Sequence, residues 1–191
     1  MPNVGRNIPH DSARGHVSGE SIYIDDMPPA KNELIVDFFW SPVAHGRIRS
    51  LDLGAAAKVP GVVALFTHRD LHHNRFGAII QDELLLAEEV VTFIGQPIVV
   101  IAAESREGIR AAKAAIQIDI ERYEPVFTID EAKRRKDFIG PARRIARGDT
   151  SEALASAEHV LEGTFRNGGQ DHFYLESQAA IVFPGEHDQL T

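Results

Sequence analysis

The densest group of residues able to do chemistry is Gly168-Gly169-Gln170-Asp171-His172-Phe173-Tyr174-Leu175-Glu176-Ser177-Gln178. His172 adjoins Asp171 and stands four residues before Glu176. That is a set able to exchange protons or to hold a shared hydrogen bond. Ser177 adds a hydroxyl, which opens a Ser–His–acid reading. The Gly-x-Ser-x-Gly turn that exposes such a nucleophile is missing, and from residue types alone a polar structural turn is the simpler expectation. His68 and His72 are also four apart, a spacing that holds a metal when it falls on a helix, but no Glu follows in the zinc-protease pattern. A His-rich surface segment is the expectation there. Gly95-Gln96-Pro97 reads either as a bend facing a ligand or as a tight turn into a buried strand, since Gly permits positive φ and Pro tolerates a strand start.

The elements that must position these residues follow from periodicity and punctuation. Ile22 and Ile24 share a face and predict a short strand stopped by Pro28-Pro29. Leu34–Trp40 is rich in strand formers. Asp52–Lys58 predicts a short helix capped by Asp52. Val62–Thr67 and Ile98–Ala103 are near-continuous apolar runs, the pattern of buried strands. Val90–Phe93 predicts another strand, and 68–84 is irregular. Ser105–Ile116 is the clearest helix, with Ser105 as cap and Ile109, Ala112 and Ile116 on one face. Gln117–Tyr123 then alternates as a strand, so 15–125 reads as one domain with strand–helix–strand occurring twice. Thr128 caps one further short helix, and Asp149 or Thr150 another. His159–Arg166 and Gln178–Phe183 predict strands, and Gln189-Leu190-Thr191 reads as the first residues of another, whose backbone groups would form an open edge.

Composition limits the function classes. The 191 residues carry 20 Lys+Arg against 28 Asp+Glu, a net charge of −8 that disfavours nucleic acid as a partner. There is no cysteine, which excludes disulfides, a thiolate nucleophile, and iron–sulfur clusters held by this chain. The N-terminus lacks the apolar run of a secretory signal, and no stretch approaches the roughly 20 apolar residues that span a bilayer. The expectation is a soluble, cytoplasmic protein. Lys133-Arg134-Arg135-Lys136 with Arg143, Arg144 and Arg147 forms a basic stretch, read as a solvated linker rather than an anion or partner site.

At Gly168–Glu176 the chain resembles the Gly-Gly-Gln-Glu-His-Phe-Tyr-Leu-Glu stretch of the xanthine dehydrogenase and aldehyde oxidase family, with Asp171 for Glu. Other segments match in the same order. Gly19–Pro28 is similar to the family's opening Gly-x-x-x-Tyr-x-Asp-Asp-x-Pro. Ser41–Gly46 is similar to Ser-x-x-Ala-His-Gly, and Pro60–Thr67 with Asp70-Leu71 to Pro-Gly-Val-x-x-x-x-Thr then Asp-Leu. Phe93–Pro97 is similar to Tyr-x-Gly-Gln-Pro, with Phe93 for Tyr, and Gly148-Asp149 to Gly-Asp.

The resemblance implies an α+β fold: an N-terminal arm (1–14), an α/β-hammerhead domain (15–125), a basic linker (126–147) and the start of a molybdenum-cofactor-binding domain (148–191). It implies the N-terminal part of a molybdopterin-binding subunit. Such enzymes hydroxylate purines or aldehydes with oxygen from water and pass electrons to Fe-S clusters and FAD. The cofactor contacts and the catalytic base of the family lie further downstream. Catalytic, cofactor-binding and metal residues are therefore expected to be absent here, and the isolated chain inactive. Gly95, Gln96, Pro97, Gly169, Gln170, His172 and Glu176 are expected to be supporting architecture. The expected partners are the remainder of the molybdenum subunit and an Fe-S/FAD subunit or domain. Self-association through an exposed apolar patch is a further expectation. Two rivals remain open: a free-standing hammerhead interaction module, and a hydrolase using His172 and Ser177.

Overall fold

A run of strand formers with no polar face needs neighbours on both sides, and Pro97–Ala103 has them. The computed structural model describes residues 4–173 and 178–190. In chain order it contains α1 (Ala13–Ser18), β1 (Ile35–Trp40), β2 (Gly46–Asp52), β3 (Val62–Phe66), β4 (Arg75–Phe76), β5 (Glu83–Leu84), β6 (Val90–Val91), β7 (Pro97–Ala103), α2 (Arg106–Ala115), β8 (Gln117–Arg122), α3 (Ile129–Arg135) and α4 (Thr150–Ser156). Single 3-10 turns occupy Ile24–Asp26, Ala56–Lys58, His68–Asp70 and Glu186–Asp188. Two units are distinguishable, one of Ala30–Ala142 and one of Met1–Pro29 with Arg143–Thr191.

In the first unit β7 is the middle strand of the sheet β1-β7-β3, and β2 the middle strand of the sheet β6-β2-β8. Every pairing is antiparallel. Ile98, Val99, Ile101 and Ala103 of β7 are buried together with Ile109, Ala112 and Ile116. The helix face read from sequence is thus the face that packs. Fully burying each large aliphatic side chain contributes about 1.5–3 kcal/mol. Ser105 caps α2 by accepting from Gly108 N at 3.0 Å. A Cβ at Gly108 would sit 3.5 Å from both Ala103 Cβ and Pro60 O, in ordinary van der Waals contact, so the first turn of α2 lies against the end of β7 with room for a methyl group.

Several expectations are corrected. The first unit holds a single helix between strands, α2, and the strand–helix–strand pattern is not repeated. Asp52 ends β2 instead of capping a helix, and its Oδ1 accepts from Gly54 N at 2.8 Å. β3 is an edge strand with Val63 55% exposed, because β7 covers only one of its sides. No strand forms at Ile22–Ile24. Asp26 Oδ2 accepts from Tyr23 N at 3.1 Å, and Met27 N donates to Ile24 O, which curls the segment into a 3-10 turn.

In the second unit His159–Arg166 and Gln178–Phe183 have no ladder partner among the described residues, where the sole pairing beyond β8 is the bridge Pro184–Leu190. A chain of strand-forming residues becomes a strand only when another segment satisfies its N–H and C=O groups. Thr191 lies outside the described residues. No helix among them is long and apolar enough to cross a membrane.

Candidate functional site

The Ser41 loop and the Gly95 turn meet. Ser41 N donates to Gln96 O at 2.8 Å, and Gly95 N donates to Ser41 O at 2.9 Å. Ser41 is buried, and its hydroxyl donates to Val43 O at 2.8 Å. Gly95 has φ +81°, a left-handed conformation that glycine adopts without the cost of a Cβ. Gln96 follows, 4% exposed, and its Oε1 accepts from Thr92 N at 2.8 Å and from Thr92 Oγ1 at 3.3 Å. Pro97 begins β7, and its carbonyl accepts from Ala87 N at 2.8 Å. The three residues therefore join the Ser41 loop, the turn after β6, and the segment at Ala87.

Thr92, Gln96 and Pro97 of this junction line a groove of about 670 Å³. Its apolar lining comes from Phe38, Leu71, Phe76, Leu84, Leu85, Leu86, Val90, Phe93, Pro97 and Val100. The polar lining residues are Asp82, Glu83, Thr92 and Gln96, with no cation among them. The β4–β5 hairpin forms a wall held by Asn74, a residue that sequence reasoning missed. Its Nδ2 donates to Leu86 O at 2.9 Å and to Glu88 Oε1 at 3.1 Å, while Leu86 N donates to Asn74 Oδ1 at 2.9 Å. One amide side chain thus satisfies both backbone groups of a buried leucine, across twelve residues of sequence. No local pattern signals such a contact.

The remaining candidates are dispersed. His68 lies in a 3-10 turn that ends at Asp70, so His68 and His72 do not share a helix face as the spacing required. Asp70 instead closes that turn on Thr67. Its Oδ2 accepts from Thr67 N at 2.7 Å and from Thr67 Oγ1 at 3.0 Å. Those bonds, the backbone one first, hold its carboxyl below the ordinary value. No group of three or more His, Asp or Glu among the described residues is placed to hold a metal ion. Arg134 and Arg135 of the basic stretch pair with Glu131 on α3.

Gly169, Gln170 and His172 lie in irregular chain, and every residue from 148 to 173 is exposed. Glu176 and Ser177 lie outside the described residues, so neither the His172–Glu176 pair nor the hydrolase triad has a geometry here. A Cβ at Gly168 or Gly169 would meet nothing within 4 Å. A pterin-bound metal needs a closed, polar cradle, and this segment does not form one by itself. The groove, apolar with two carboxylates and no cation, is equally unsuited to an anionic cofactor.

Comparison with known proteins bears on the same two regions. Residues 18–125 match the family model described as "Aldehyde oxidase and xanthine dehydrogenase, a/b hammerhead domain", and residues 131–191 match the "Molybdopterin cofactor-binding domain". The chain is 38% identical over 185 residues to a xanthine dehydrogenase/oxidase of Gallus gallus, covering 97% of this chain and 14% of that protein. It is also 38% identical to aldehyde oxidase 1 of Oryctolagus cuniculus, with the same coverage of each. The chain therefore spans about one seventh of the length of these relatives. Among solved structures it is similar to quinoline 2-oxidoreductase from Pseudomonas putida 86, with TM-score 0.65 and 26% identity over 84% of this chain and 22% of that one. The aldehyde oxidoreductase from Desulfovibrio desulfuricans gives TM-score 0.60 and 27% identity over 67% of this chain and 16% of that one. The fold is accordingly a hammerhead domain followed by the start of a molybdenum-cofactor-binding domain, as the motifs implied.

Proposed function

Because the chain belongs to the aldehyde oxidase and xanthine dehydrogenase family, we propose that it supplies the hammerhead region and the opening of the molybdopterin-binding domain to a molybdenum hydroxylase acting on a purine or an aldehyde. The observation that carries this reading is the unbroken order of the two family matches, with relatives aligned over 97% of the chain. In this reading 1–14 is an arm, 15–125 the hammerhead, 126–147 a basic linker, and 148–191 the opening of the cofactor domain. The enzyme works in the cytoplasm, in keeping with a chain free of cysteine. Molybdopterin is bound by the complete protein. The Fe-S clusters and FAD sit on other domains or subunits, since thiolate ligands are absent here.

The chain's own residues do positioning work in this scheme. Gly95, Gln96 and Pro97 fix the Ser41 loop against the start of β7. Gly169, Gln170, His172 and Glu176 contribute to a site that further chain must close around. The isolated 191 residues then neither retain molybdopterin nor oxidise substrate. Metal analysis of the purified chain, with a xanthine-dependent and an aldehyde-dependent dye-reduction assay, tests this. Molybdenum below a tenth of stoichiometric, with no turnover, is the expected result. Stoichiometric molybdenum with turnover overturns it.

A further inference from the structure

We propose that Asn167, followed by Gly168, is a site of spontaneous covalent modification in this chain, where the asparagine loses its amide through a succinimide to give aspartate and isoaspartate. The step needs a side-chain amide, a following backbone N–H free to attack it, and a backbone able to bring the two together. Asn167 and Gly168 lie in irregular, exposed chain. Among the described residues, neither the Asn167 side chain nor the Gly168 N–H makes a hydrogen bond. Gly168 has no Cβ to crowd its own nitrogen, and with Gly169 it gives the backbone wide conformational freedom.

The atoms balance without an oxidant or a cofactor. Gly168 N gives up its proton to solvent and bonds to Asn167 Cγ. The Cγ–Nδ2 bond breaks, and Nδ2 takes up a proton and leaves as ammonia. Water then opens the ring. Attack at the side-chain carbonyl yields aspartate, and attack at the main-chain carbonyl yields isoaspartate. Either product places a carboxylate immediately before Gly168–Glu176, and isoaspartate also adds a methylene to the main chain there.

The other asparagines each fail one requirement. Asn74 is clamped, its Nδ2 donating to Leu86 O and Glu88 Oε1 and its Oδ1 accepting from Leu86 N. Asn32 is exposed, but the N–H after it belongs to Glu33 and donates to Ala30 O at 3.1 Å. Asn3 and Asn7 precede Val4 and Ile8, whose branched Cβ atoms crowd the attacking nitrogen. No other asparagine, and no aspartate, precedes a glycine in the sequence. Exposure alone does not single out Asn167, since Asn7 and Asn32 share it. The uncommitted glycine N–H does.

Peptide mapping by mass spectrometry of the 191-residue chain, incubated at mildly acidic and at mildly alkaline pH, tests the proposal. Amide loss at Asn167 is expected to run about tenfold or more faster than at any other asparagine. It is expected to be faster at the alkaline pH, because the attacking nitrogen must lose its proton, and to give isoaspartate among the products. A Cβ at Gly168 would meet nothing within 4 Å, so Gly168→Ala alters the attacking residue without disturbing its surroundings. That variant is expected to slow the loss about tenfold or more. Asn167→Gln, whose longer side chain must close a larger ring, is expected to stay intact over the same interval. Loss at Asn167 no faster than at Asn7 or Asn32 overturns the proposal. So does a Gly168→Ala chain that reacts at the parent rate, or aspartate without isoaspartate, which would mean direct attack of water on the amide.

Discussion

Lys113 Nζ donates to Asp37 Oδ2 at 2.7 Å and joins α2 to β1 across 76 residues of sequence. The same carboxylate accepts from Phe38 N through Oδ1 at 2.6 Å. Asp37 thus ties the helix to an edge strand of the sheet it packs on. Its neighbour Phe38 lines the groove beside Gln96.

The pair predicts a pH dependence of stability. Partial burial pushes the Asp37 carboxyl up, but the Lys113 bond, the Phe38 N–H and the charges of Lys113 and Arg106 together bring it below its ordinary 3.8. A depressed folded value stabilises the fold fully above the unfolded value and loses that contribution as pH falls through the folded one. The side chains of Lys113 and Asp37 are 28% and 41% exposed, so solvent screening keeps the coupling to about 0.5–1 kcal/mol. Asp37→Asn retains an acceptor for Phe38 N but removes the charge. Urea unfolding of both proteins as a function of pH should show the difference near neutrality and its disappearance in acid. Parallel curves throughout would show that the pair is not coupled to folding.

Three helix caps of similar geometry predict unequal costs. Ser105 accepts from Gly108 N at 3.0 Å, Thr128 from Glu131 N at 3.2 Å, and Asp149 from Ser151 N at 2.8 Å. Only α2 buries residues, whereas α3 and α4 bury none. Ser105→Ala should lower global stability by about 1 kcal/mol. Thr128→Ala and Asp149→Ala should leave the denaturant midpoint in place and speed amide exchange only within their own helices. A global shift from either of those two would show that the short helices are integrated with the core.

The difference between α2 and β2 explains what the sequence discloses. α2 repeats Ile109, Ala112 and Ile116 at helical spacing, and those residues are the buried ones. β2 carries Ile48 and Leu51 three residues apart, which hides the period of two. The register slips between Ile48 and Ser50, so Arg49 is an extra residue opposite β8. That bulge returns Leu51 to the inner face. The strand is also central only because β6 and β8 flank it, a relation between distant segments. Asn74 is opaque for the same reason, since its partners lie twelve and fourteen residues away. The family motifs, by contrast, were legible as a series. The structure shows several of them as turns and caps: Ser41 against Gly95, Asp70 on Thr67, Asp149 on α4. Their spacing records backbone geometry, which composition and periodicity do not encode.

Gln96 gives the last prediction, because its two plausible replacements fail for different reasons. Its Oε1 accepts two bonds from Thr92 while the side chain is almost wholly enclosed. Gln96→Ala removes the acceptor and leaves a void beside Pro97, which should cost about 1–3 kcal/mol from the lost bonds. Gln96→Glu keeps the Oε1 acceptor but replaces the amide nitrogen with a second oxygen and introduces a charge without a cation in the groove lining. Burial raises the pKa of such a carboxyl, so its folded value lies above the unfolded one. The variant should therefore be destabilised most above that folded value and recover as pH falls through the window between the two. Alanine, having nothing to titrate, should show no such recovery. Urea midpoints for both variants at neutral and mildly acidic pH separate the cases. A glutamate variant as stable as the parent chain at neutral pH would mean that water or a cation reaches this side chain, contrary to its burial.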